Sequence, residues 1–60
     1  MKNLIKPNEV EIINSDEGVY NGKLAKVVDI KMDRGEVDYR VIMGDGSEFW
    51  IPSENTVIIF

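Results

Sequence analysis

The chain has 60 residues, a net charge of −4 from 11 acidic and 7 basic side chains, and neither cysteine nor histidine. That length gives one domain, 1–60, with residues 1–7 as an N-terminal arm; disulfides are excluded and the usual zinc ligands are missing. A core this small is marginal and must be efficient or be supplemented by association.

No stretch approaches the ~20 apolar residues of a membrane span, and the polar start, Met1-Lys2-Asn3-Leu4-Ile5-Lys6-Pro7, does not read as a signal peptide. No membrane partner and a cytoplasmic location are expected.

In chain order, Pro7-Asn8 is a turn signal, and Glu9-Val10-Glu11-Ile12 alternates polar and apolar. A first strand is predicted over 9–14 with Val10 and Ile12 inward. A loop of about eight residues follows, carrying Val19 and Tyr20 and closing at Asn21-Gly22. Residues 23–32 form a long strand. Leu24, Val28, Ile30 and Met32 share one parity, broken by Lys26, while Ala25 and Val27 share the other. A β-bulge near Val28-Asp29 reconciles the two halves. Asp33-Arg34-Gly35-Glu36 is the next turn.

Residues 37–52 read as a hairpin around a three-residue loop, Gly44-Asp45-Gly46. This loop pairs Met43 with Ser47, Ile42 with Glu48, Val41 with Phe49, Arg40 with Trp50 and Tyr39 with Ile51. Cross-strand partners share a face, so Tyr39, Val41, Phe49 and Ile51 turn inward. Arg40, Ile42, Glu48 and Trp50 turn outward. Pro52 ends the strand, Pro52-Ser53-Glu54-Asn55 is a helical turn, and Thr56-Val57-Ile58-Ile59-Phe60 is a last strand, apolar on both faces.

Ile51-Pro52-Ser53-Glu54-Asn55-Thr56-Val57 resembles the end of Src-homology-3 domains, and Gly22-Lys23-Leu24-Ala25-Lys26-Val27 resembles the core of the KOW motif. The resemblance implies an all-β fold: a five-stranded antiparallel SH3-like barrel with a short 3₁₀ turn before the last strand. Asp38 and Asn55 stand where polyproline-binding members carry groove aromatics, and Ala25 stands where KOW prefers a second glycine. Small bacterial and phage proteins with this barrel act by docking onto a larger partner.

Chemistry narrows the function further. Without histidine or cysteine, acid–base work would fall to carboxylates such as Asp16-Glu17, or Asp33, Glu36 and Asp38; these read as solvated turn charges. The spacing at 33–38 matches no calcium loop. No enzyme, cofactor or metal is expected. The leading expectation is a non-catalytic protein–protein interaction module that binds through Trp50, Arg40 and Ile42, bordered by Tyr20, because tryptophan, tyrosine and arginine dominate binding hot spots. Arg40 beside Trp50 would also make a cation–π pair. Ile58, Phe60 and Ile13 mark a face for homo-oligomerisation. The alternative is a KOW-type nucleic-acid or ribosome-associated binder using Lys23, Lys26 and Lys31, against which the acidic balance stands. A small-ligand binder or enzyme is the second alternative.

Overall fold

In the computed structural model the described residues are 5–15 and 18–60. Five strands form in chain order: β1 Glu9–Ile12, β2 Leu24–Asp33, β3 Glu36–Ile42, β4 Glu48–Pro52 and β5 Thr56–Ile58. A single 3₁₀ turn, Ser53–Asn55, joins β4 to β5. All described neighbours pair antiparallel, in the order β4-β3-β2-β1-β5.

The hairpin register is the one the sequence implies. Ile42 faces Glu48, Val41 faces Phe49, Arg40 faces Trp50 and Tyr39 faces Ile51. The Met43 N–H bonds the Ser47 carbonyl at 2.8 Å, and the Gly46 N–H returns to the Met43 carbonyl at 3.0 Å. Gly46 sits at φ 90°, a conformation that glycine adopts without a Cβ clash.

The expected bulge is present too: Val27 pairs with Val41 and Asp29 with Arg40, leaving Val28 unpaired. Backbone groups on either side of the bulge find side-chain partners. The Asp29 carboxylate accepts the Ile30 N–H at 2.8 Å, and the Lys6 ammonium donates to the Val27 carbonyl at 2.9 Å. The bulge swaps the inward parity of β2 from Ala25 and Val27 to Ile30 and Met32, whose cross-strand partners are Tyr39 and Val37.

The core consists of Val10, Ile12, Ala25, Val27, Tyr39, Val41, Met43 and Ile51, with Tyr20, Ile30, Val37 and Phe49 packed against it. Val10, Ile12 and Val41 are completely buried. Met43 shares the inward parity of Tyr39 and Val41, and so joins the core from the mouth of the turn.

The closed SH3-like barrel expected from the sequence is not formed. β4 and β5 are the two edges of an open sheet. The hydrogen bonds of β5 go to β1: Ile13 N–H to the Asn55 carbonyl, Ile59 N–H to the Glu9 carbonyl, and Glu9 N–H to the Phe60 carbonyl, at 3.0–3.2 Å. The Thr56 N–H turns back onto the Ser53 carbonyl, and Pro52 has no N–H to offer a closing ladder. Closure also needs a matched tilt and stagger across every strand, which short matches to Src-homology-3 and KOW segments do not supply. The observed class is an open, five-stranded antiparallel sheet with one 3₁₀ turn.

Candidate partner-binding site

The loop after β1 is folded onto itself before it meets the hairpin. The Asn21 side-chain carbonyl accepts the Ser15 N–H at 2.8 Å, and the Ser15 hydroxyl accepts the Gly18 N–H at 3.1 Å. Its far end is tied to both neighbouring strands by Gly22 N–H to the Ile12 carbonyl, 2.6 Å, and Ile12 N–H to the Lys23 carbonyl, 2.9 Å. Tyr20 is thereby held over β4. Its ring lies 5.3 Å from that of Phe49, tilted by 30°. Its hydroxyl is 3.1 Å from Asp45 Oδ2 and 2.9 Å from Ser47 Oγ. A carboxylate only accepts, so the single Tyr20 proton goes to Asp45 and the Ser47 hydroxyl supplies the other bond.

Along the free edge of β4 runs a groove of about 380 Å³. Tyr20 and Asn14 stand on the loop side, Phe49 and Ile51 line the strand, and Trp50, Pro52 and Asn55 complete the wall. Tyr20 and Trp50, two of the residues singled out from the sequence, therefore meet in one concavity. Arg40 and Ile42 do not line it; they stand beside it on the outer face. Asn14, Ser15, Ser47, Pro52 and Asn55 were not anticipated as lining residues, although the Pro52–Asn55 turn is a recognisable place for a strand edge to bend.

Trp50 is 36% exposed. The Lys31 ammonium sits 4.5 Å from its ring centroid and the Arg40 guanidinium 6.0 Å away. Lys31 is thus the nearer cation, reaching diagonally across β3, while Arg40 also forms an ion pair with Glu48. Exposed cation–π contacts contribute ~0.5–1 kcal/mol, which orients the indole without burying it.

The lysines at 23, 26 and 31 do not make one patch. Lys26 lies opposite Glu9 and Ile42, and Lys31 opposite Asp38, with Asp29 between them on the same strand. Lys23 has the other parity from Lys26. Of the proposed oligomer residues, Ile58 and Phe60 share a parity, whereas the β1–β5 register gives Ile13 the parity of Val57 and Ile59. The Asp16-Glu17 pair lies outside the described residues. Among the described residues, no cluster of three or more metal-ligating side chains occurs, and no helix is long and apolar enough to cross a membrane.

No protein-family model, curated protein or solved structure matches the chain.

Proposed function

We propose that this chain is a non-catalytic docking module of the cytoplasm that takes an extended segment of a partner protein into the β4-edge groove. The observation that carries the reading is the convergence of Tyr20 and Trp50 on that groove. The backbone supports it. Met43 and Ser47 form a hydrogen-bonded pair, and such pairs alternate along an antiparallel ladder. Phe49 and Ile51 then bond to β3, and the N–H and C=O groups of Glu48 and Trp50 point off the edge. An extended peptide can satisfy those groups while its side chains use the aromatic wall. Tryptophan and tyrosine supply large contact area at low conformational-entropy cost.

The test is peptide selection by display against the immobilised chain, followed by affinity and amide-shift mapping. Selected peptides are expected to shift Ser47–Pro52, Asn14 and Asn55. Trp50→Ala should leave the far-ultraviolet dichroism unchanged and weaken binding by about tenfold or more. Peptides that map elsewhere, or a Trp50→Ala chain that unfolds, would overturn the reading.

A further inference from the structure

We propose that the β5 edge pairs with the β5 edge of a second copy, antiparallel about a two-fold axis at Ile58, joining two five-stranded sheets into one.

The hydrogen-bond pattern selects that residue. Along β1 and the residue before it, the Asn8 carbonyl and the Ile12 N–H serve the β2 side, through Val27 N–H to Asn8 O and Ile12 N–H to Lys23 O, while the Asn8 N–H bonds the Phe60 carbonyl. The backbone groups of Glu9 and Ile13 serve β5, through Ile59 N–H to Glu9 O and Ile13 N–H to Asn55 O. Val10, of even parity, serves β2, so Ile58 opposite it has no bonding partner there. The Ile58 N–H and C=O therefore point off an edge that no strand pairs with among the described residues. The flanking N–H donors on that side are already used, since the Thr56 N–H bonds Ser53 and the Phe60 N–H bonds Glu9. One donor and one acceptor on a single residue make the edge complementary to itself, as an isologous two-fold contact requires.

The side chains agree. Natural edges are blunted by charges and proline, and the β4 edge carries Glu48 and Pro52. Residues 55–60 carry no charged side chain at all. Val57, Ile58, Ile59 and Phe60 are 46–77% exposed. With Ile58 on the axis, Ile58 meets its own copy, Phe60 meets Thr56 and Val57 meets Ile59, all apolar or β-branched pairs of the kind that stabilise sheets. A mixed β5–β4 contact would place Pro52 and Glu48 against the apolar edge and would not close on itself. A net charge of −4 on each copy opposes association in any orientation, and residues 55–60 add no charged side chain to that repulsion. Residues 56–60 are far fewer than the ~20–30 residues a side of a standard interface, so the dimer is weak and dissociates on dilution.

Sedimentation equilibrium from about 10 μM to about 1 mM is the test, with Ile58→Lys, Leu24→Lys and Trp50→Ala as variants. The apparent mass of the wild-type chain is expected to double across that range. Ile58→Lys should stay monomeric, and the other two should dimerise as the wild type does. Amide exchange on the unmodified chain is the second reading, with Ile58 protection rising with concentration while Gly46 is unchanged. A chain monomeric throughout, an Ile58→Lys dimer, or an Ile58 amide indifferent to concentration would overturn the proposal.

Discussion

Tyr20 and Asp45 are 25 residues apart in sequence, and their side chains meet at 3.1 Å. That bond, with the 2.9 Å contact between Tyr20 and Ser47, fastens the loop after β1 to the β3–β4 turn and fixes one wall of the groove.

Tyr20→Phe keeps the ring against Phe49 and removes both hydroxyl bonds. A stability loss of ~0.5–1.5 kcal/mol is expected, read from urea midpoints. Tyr20→Ala should lose a further ~0.5–1.5 kcal/mol from the aromatic pair. In a double-mutant cycle with Ser47→Ala the losses should fall short of additive, because both substitutions break the same bond. Strict additivity would show that the hydroxyl contact contributes nothing.

Acid should loosen the same fastening. The Ser47 N–H donates to Asp45 Oδ1 at 2.9 Å, and that bond, with a weaker contribution from the Tyr20 hydroxyl, holds the Asp45 carboxyl below the usual carboxylate range. The folded value lies below the unfolded one. The resulting stability is therefore fully present above ~3.9, the ordinary aspartate value, and is lost as the pH falls through the depressed one. Wild type should exceed Asp45→Asn in stability at neutral pH, and the gap should narrow as the pH drops below about 4. Urea midpoints of the two chains along a pH series give the difference directly. A gap that widens in acid would contradict the sign.

Much of this arrangement is legible in the sequence because it rests on local parity. Asp45 and Gly46 set a turn length, and only the three-residue loop matches Val41 with Phe49 and Tyr39 with Ile51. The break at Lys26 in the apolar series of β2 announces the bulge. What escapes is set by contacts that no local pattern encodes. Curvature of the whole sheet decides whether β4 and β5 meet, and the alternation within each strand is the same whether they do or not. The pairing of Lys31 with Trp50 is of this kind, since it depends on the bulge having turned Lys31 to the outer face and on a diagonal reach across β3. The groove is another case: Asn14 and Asn55 are 41 positions apart and meet only because Ile13 hydrogen-bonds Asn55.

The bulge offers a backbone test. Asp29 caps the Ile30 N–H at the point where the β2–β3 ladder shifts. Asp29→Ala removes that acceptor and should cost ~0.5–1.5 kcal/mol. Asp29→Asn, which keeps a side-chain carbonyl, should cost less. Amide exchange at Ile30 should speed up in the alanine variant while Val41 stays protected. An unchanged Ile30 rate would mean that the carboxylate contact does not hold the bulge.

The turn between β2 and β3 carries a misfit that substitution can relieve. Arg34 and Gly35 both have positive φ, 54° and 80°, as a two-residue hairpin turn of the mirror-image type I class requires. Glycine meets this freely, but arginine in the left-handed region costs ~1–2 kcal/mol. Asparagine tolerates it better and is favoured at that first position. Arg34 is exposed and far from the groove, so its replacement leaves the binding surface intact. Arg34→Asn should raise stability by ~0.5–1 kcal/mol, seen as a higher urea midpoint with an unchanged slope. Arg34→Val, β-branched and poorly suited to positive φ, should lower it. The opposite order would show that this turn adopts a different geometry in solution.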